Sequence, residues 1–347
     1  MFGKVVTVIN TGVNPASVAV SPCGKFGYVS NNNNYSLPNQ DTVTVFSTET
    51  NLPIKTIKHD SFNEPYTITF NHKGSRAYVT NSGGSTISVI KTKTHEVTYV
   101  IKGFDGPSGM VIVGKLGYVN NYGATPGVGS GNGNTVSIVD LPNRVVIGDP
   151  IVVGLAPAAI TANKKYVFTI NYEDGNPNTG TISKIFLGNL KVTTIGPFSE
   201  NGLSGPFAIN LSEKYAYVTN FGSNNFTPFG TTLSKVDLRK GHIKETVELG
   251  IQPSGIALSS NGRFVLVSNY NTLYAYITPP PVQYLNLTPG QGTVNVVDLK
   301  YNKVVHTIAV GQAPSTVVVS PDGRHAYVTN YISNTVSVIK LSSVFRN

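Results

Sequence analysis

The chain has 347 residues, 40% of them hydrophobic, with 35 Gly, 21 Pro, 18 Tyr, 15 Phe and a formal charge of +9. That is enough apolar material for a large core, and length alone suggests two or three domains. Pro and Gly recur too closely for helices of ordinary length, no run of about 18 apolar residues can form a membrane-spanning helix, and one cysteine, Cys23, excludes an internal disulfide.

The opening MFGKVVTVIN lacks the apolar stretch and small-residue cleavage site of a signal peptide, and KVVTVIN, Lys4 to Asn10, reads as a strand. A repeat follows. Prolines stand at Pro15, Pro65, Pro107, Pro157, Pro206, Pro253 and Pro314. Each precedes an element like Tyr-Val-Thr-Asn, ending at Asn31, Asn81, Asn121, Asn171, Asn220, Asn269 and Asn330. A strand that begins with threonine comes next, at Thr42, Thr86, Thr135, Thr181, Thr232, Thr293 and Thr335. The last unit shows the plan: STVVVS is strand a, PDGR a hairpin turn, HAYVTN strand b and TVSVIKL strand c. Its fourth strand should resemble KVVHTIAV from Lys303, yet the chain ends in SSVFRN. KVVTVIN copies the missing strand, so the first segment should complete the last sheet and close a ring.

The expected fold is therefore all-β: a seven-bladed β-propeller of four-stranded antiparallel blades in one domain spanning 1–347. The units run 11–57, 58–101, 102–152, 153–196, 197–249, 250–309 and 310–341, with 4–10 as the closing strand. The Tyr-Val-Thr-Asn element, the SPDG turn and the T-V-S-V-I strand resemble the YVTN-repeat β-propellers. That family includes surface-layer and secreted proteins and is similar to lactonase-like seven-bladed propellers. The resemblance implies a cell-surface or extracellular setting, and it names a fold more firmly than an activity.

Most repeated residues have structural work. The turn needs Asp or Asn with Gly, the proline opens the innermost strand where no ladder donor is wanted, and the asparagine is placed to bond nearby backbone groups. Cys23 falls where the last unit has Asp322, in an exposed turn.

Alternating strand directions put the b–c and d–a loops at one end and the a–b and c–d turns at the other. The long insertions are all b–c loops: NNNYSLPNQD, NYGATPGVGSGNGN, NYEDGNPNTG, FGSNNFTPFG and YNTLYAYITPPPVQYLNLTPGQG. They hold no Lys or Arg. Loops gathered on one end of a rigid scaffold are where binding concentrates. Their aromatics, Tyr35, Tyr122, Tyr172, Phe226, Phe229, Tyr270, Tyr274, Tyr276 and Tyr284, are the expected contacts for a protein or glycan partner. The PPP at 279–281 should stiffen the longest insertion as polyproline. Asn-x-Ser/Thr sequons occur at Asn34, Asn210, Asn225 and Asn286.

Every a–b turn carries a base: Lys25, Lys73 with Arg76, Lys115, Lys164 with Lys165, Lys214, Arg263 and Arg324. This basic end is the candidate for nucleic acid or another anionic surface, bound diffusely and salt-sensitively. It reads as lacking the interleaved aromatics that stack bases.

Catalytic chemistry is thinly signalled. The six histidines show no metal-ligand spacing, and there is no HxH, HExxH or CxxC. Asp60, Glu64, Asp105, Asp149, Glu173, Asp174 and Glu200 fall at the insertion end, where carboxylates at the axial mouth would be the route to a lactonase-like hydrolase or lyase. GVGSGNGN has neither the lysine nor the helix of a phosphate loop. The expectation is a non-catalytic binding or scaffold propeller without cofactor, catalytic residues or metal ligands.

Overall fold

The computed structural model describes residues 2–33, 41–125, 128–129, 132–173, 178–197, 202–222, 230–271, 275–276, 284–285 and 290–346. In each blade, strand a begins at the repeated proline, strand b ends at the repeated asparagine and strand c begins at the repeated threonine; the last is Pro314–Val319, His325–Asn330 and Thr335–Leu341. The described residues form seven four-stranded antiparallel sheets, with strand a innermost. Six are contiguous in sequence. The seventh recruits Gly3–Asn10, which pairs antiparallel with Thr335–Leu341 from Gly3↔Leu341 to Asn10↔Thr335. The ring is closed as the sequence required.

The core lies between blades rather than at a centre. Consecutive residues of a strand point to opposite faces. In Tyr-Val-Thr-Asn the tyrosine meets the next blade and the valine the previous one. Tyr28 packs with Ile68 and Ala77 of blade 2, while Val29 packs with Tyr327 and Val338 of blade 7. Seven apolar clusters result, one for each interface between neighbours. Ile9 of the closing strand is 1% exposed in the cluster that joins the last blade to the first.

Hydroxyl groups stitch the inner strands around the axis. Thr67 Oγ1 donates to Ser108 O at 2.7 Å, Ser108 Oγ to Pro157 O at 2.9 Å, Ser254 Oγ to Pro314 O at 2.7 Å and Thr316 Oγ1 to Ala16 O at 2.9 Å. Each such bond removes a buried donor and a carbonyl from the unsatisfied pool. Strands a of adjacent blades are therefore joined by side chains where no ladder links them. No helix of the described residues is long and apolar enough to cross a membrane.

Candidate functional site

The end of the propeller that bears the insertions is organised by one hydrogen-bond device, repeated in every blade. The motif asparagine reaches across to strand c with its amide nitrogen, and in blade 3 its oxygen also accepts a backbone amide, Asp105 N to Asn121 Oδ1 at 3.3 Å. Asn31 Nδ2 donates to Thr42 Oγ1 and Thr44 Oγ1, both at 2.9 Å. Asn171 does so to Thr181 and Ser183 at 2.8 and 2.9 Å, and Asn330 to Thr335 and Ser337 at 3.0 and 2.9 Å. The two acceptors sit two residues apart on one face of strand c, so the Thr-x-Ser spelling of that strand is the partner of the asparagine. Gly154 and Gly311, three residues before their prolines, leave room for it: a Cβ there would fall 2.5 and 2.6 Å from the side chains of Asn171 and Asn330.

A second device sets the rim. The residue before each proline has a left-handed backbone: Asn14, Glu64, Gly106, Ala156, Gly205, Gln252 and Ala313, with φ between 50° and 57°. Side chains and a following proline both disfavour that region, so the strain is held by surrounding bonds. The turned carbonyl accepts the amide that follows the motif asparagine. Ala156 O takes Tyr172 N at 2.9 Å, Gln252 O takes Tyr270 N at 2.9 Å and Ala313 O takes Tyr331 N at 2.9 Å. The position after the asparagine is thereby fixed at the rim in all seven blades.

That position is aromatic in five of them: Tyr122, Tyr172, Phe221, Tyr270 and Tyr331. Two more aromatics, Tyr66 and Phe207, follow the proline of strand a. Together they form a collar around the mouth of the axis. The Tyr172 hydroxyl donates to Gly222 O at 2.8 Å, linking blade 4 to blade 5. Phe207 stacks on Phe221 at 5.1 Å, Phe221 meets Tyr270 at 5.9 Å and Tyr270 meets Tyr331 at 6.3 Å between ring centroids. Burial raises the Tyr66 phenol well above its ordinary range, and the nearby phenols of Tyr122 and Tyr331 push it further. Tyrosines of blades 2, 3 and 7 thus lie near one another at the mouth. Burial also raises Tyr122, so the Tyr66 and Tyr122 phenols stay protonated.

Of the residues expected from sequence, the fold brings Tyr122, Tyr172 and Tyr270 into this collar. Tyr276 and Tyr284 are register partners in the backbone of a short hairpin, Ala275–Tyr276 with Tyr284–Leu285. Tyr35, Phe226, Phe229 and Tyr274 lie outside the described residues, as do PPP at 279–281 and the sequons at Asn34, Asn225 and Asn286. Asn210 lies in the innermost strand Pro206–Leu211. Sequence reasoning missed Tyr66, Phe207, Phe221 and Tyr331. The signal was the alignment itself, since Phe221 and Tyr331 occupy the same register as Tyr122.

Two carboxylates at this end brace the loops. Asp41 accepts Asn33 N and Glu64 N, both at 2.9 Å, and Glu173 accepts the Thr181 hydroxyl at 2.9 Å. Among the described residues, no group of three His, Cys, Asp or Glu is placed to hold a metal ion.

A model of the family described as "Lactonase, 7-bladed beta-propeller" matches residues 5–113, from the closing strand into blade 3. The PE-PGRS family protein PE_PGRS18 of Mycobacterium tuberculosis is 46% identical over 57 residues, 16% of this chain and 12% of that protein. The chain thus matches about an eighth of that relative's length. A solved chain of Kuenenia stuttgartiensis Hydrazine Synthase superposes with a TM-score of 0.75 at 18% identity, covering 95% of this chain and 96% of that one. That likeness is one of fold.

The opposite end differs from its sequence reading in one respect. Aromatics are interleaved with its bases. Lys184 Nζ lies 4.2 Å from the Tyr166 ring centroid, Lys235 Nζ 4.8 Å from that of Tyr215, and Lys300 Nζ 5.1 Å from that of Tyr301. Sequence hid the first two because their partners come from different strands; Lys300 and Tyr301 are neighbours in one turn.

Proposed function

We propose that the chain is a non-catalytic recognition propeller that takes a protein or glycan partner at its loop-bearing mouth, in a surface or extracellular assembly. The aromatic collar carries the reading. Half-buried tyrosines offer rigid apolar faces at small entropic cost, each with a hydroxyl to orient what it meets. Ring contacts that run from Phe207 through Phe221 and Tyr270 to Tyr331 make one continuous aromatic surface rather than scattered contacts. The setting is supported by the resemblance of the repeats to surface and secreted propellers.

The test is a glycan array and a pull-down from extracellular material, with the full chain and with Tyr66→Ala and Tyr331→Ala. Each substitution should weaken capture by about tenfold or more, as central aromatic anchors do. Unchanged capture by both would sink the reading.

The family match over residues 5–113 favours a second reading, a lactonase-like hydrolase with its site in the same mouth. Turnover of a lactone panel that is lost in Glu64→Gln or Asp105→Asn would establish it; turnover indifferent to both would not.

A further inference from the structure

We propose that the basic end of the propeller docks on an anionic lipid surface, so that the aromatic mouth faces away from the membrane. Three features of that end argue for it, none of which depends on what the mouth binds.

The first is its shape. The a–b turns are short and closed by the same bond in most blades: Ser21 N to Phe26 O, Asn71 N to Arg76 O, Ser259 N to Phe264 O and Ser320 N to His325 O, all at 2.8–3.0 Å. Turns of one construction end the face at one level, and the long insertions are all at the other end. The result is an end without long projecting loops among the described residues.

The second is its charge. Each of the seven a–b turns presents an exposed base, among them Lys25, Lys73, Lys115 and Lys214. Four aspartates of this end brace its turns, while Glu49, Glu96 and Glu213 stand exposed among the more numerous bases. Asp140 accepts Asn143 N at 3.0 Å, Asp237 accepts Lys240 N at 2.8 Å, Asp298 accepts Lys300 N at 2.9 Å and Asp322 accepts Arg324 N at 3.0 Å. Ion pairs among the described residues are two, Arg263 with Asp298 at 2.8 Å and Arg324 with Asp322 at 3.8 Å. The lysine ring therefore faces outward. Each lysine near an anionic bilayer adds about 1 kcal/mol of attraction.

The third feature selects lipid over nucleic acid. Apolar side chains stand exposed among the bases: Leu52 at 62%, Tyr301 at 56%, Val344 at 44% and Phe186 at 39%. Leu52 precedes the strand Pro53–Ile57, Tyr301 lies in the turn before Lys303–Ala309, and Phe186 ends Thr181–Phe186. The Val344 carbonyl accepts Asn261 Nδ2 at 2.9 Å, tying the C-terminal turn to the same end. A phosphate backbone has nothing to offer these tips, whereas the headgroup–acyl boundary takes them in. Stacked bases would need open tyrosine faces. Those of Tyr166 and Tyr215 are covered by Lys184 and Lys235.

The experiment is co-sedimentation of the full chain with vesicles of phosphatidylcholine containing phosphatidylglycerol, and with phosphatidylcholine alone, at low and high salt. Binding is expected on the anionic vesicles only and should fall with salt. Lys25→Glu/Lys73→Glu/Lys115→Glu should weaken it by at least about tenfold. Leu52→Ser/Tyr301→Ser, which leaves the charge unchanged, should weaken it by roughly fivefold. All five positions are surface sites, and an unchanged melting curve certifies the fold. Equal binding to neutral vesicles overturns the proposal. So does anionic binding that ignores Leu52→Ser/Tyr301→Ser and is displaced by single-stranded DNA, which would mark a general polyanion face.

Discussion

The two ends of each blade are built from the same four strands and are held in different ways. At the mouth, side chains hold one another: an asparagine bridges strand b to strand c, and a strained residue before proline ties the rim. At the basic end, backbone hairpins close on themselves, and Asp, Asn or Ser side chains satisfy the turn amides. The mouth is rigid and its variation lies in what projects from it. The basic end is plain and its variation lies in charge. A single scaffold thus separates a surface that needs fixed geometry from one that needs only a field. Substitutions at the mouth should therefore cost stability, and those at the basic end should mostly alter electrostatics.

The largest expected effect breaks both ends at once. The closing strand runs the full height of the last blade. At the basic end Ser342 N donates to Phe2 O at 3.1 Å, and at the mouth Thr11 N donates to Asn334 O at 3.1 Å. Phe2 also packs edge-on against Phe264 at 5.7 Å between centroids. Deleting residues 2–10 leaves strand Thr335–Leu341 as an open edge and removes Ile9 from the interface of the last and first blades. Truncation of one such buried isoleucine costs about 2–5 kcal/mol, so loss of the whole strand should abolish the cooperative melt. A chain that still unfolds in one sharp transition by circular dichroism would show that closure is dispensable.

A smaller effect isolates the mouth. Asn171→Ala removes two buried bonds, leaving the Thr181 hydroxyl without the asparagine donor and Ser183 with only the Gly154 amide. The expected loss is about 1–3 kcal/mol, read as a melting temperature several degrees lower. The matched control at the basic end, Lys164→Ala, changes an exposed turn residue and should leave the melt where it is. Equal shifts for the two would erase the contrast between the ends.

The fold was open to sequence reading because its landmarks are local and repeated. Pro314, Asn330 and Thr335 mark strand boundaries in the last blade as their counterparts do in the others, and KVVTVIN matches the strand it replaces. The collar was only half legible. Tyr122, Tyr172 and Tyr270 stood out as loop aromatics, whereas Tyr66 and Phe207 lie inside strand a and look like core. Their meeting depends on how blades 2, 3, 5 and 7 are angled about the axis, which no single repeat encodes. The target of the motif asparagine was hidden for the same reason. Its acceptors follow after loops of very different length, at Thr86 in blade 2 and at Thr293 in blade 6.

The smallest effect belongs to the basic end and to pH. Tyr28 projects from blade 1 onto blade 2, where its hydroxyl bonds His95 Nδ1. Burial lowers the His95 pKa below its ordinary 6.5, and the charge of Lys55 lowers it further. Burial likewise lowers His325, with Lys340 and Arg324 adding to it and Asp322 opposing. A histidine depressed on folding binds protons more readily when unfolded. Its contribution is whole above pH 6.5 and is lost as pH falls from there through the folded value. The turn aspartates Asp298 and Asp322 act in a separate window, because their folded values lie below 3.8. Melting temperature should therefore drop between neutral and mildly acidic pH, by roughly one or two degrees for each histidine. His95→Gln keeps an acceptor for the Tyr28 hydroxyl without titrating, so it should remove its share of the slope, and His95→Gln/His325→Gln should flatten it. A slope untouched by the double substitution would show that neither histidine carries the pH dependence.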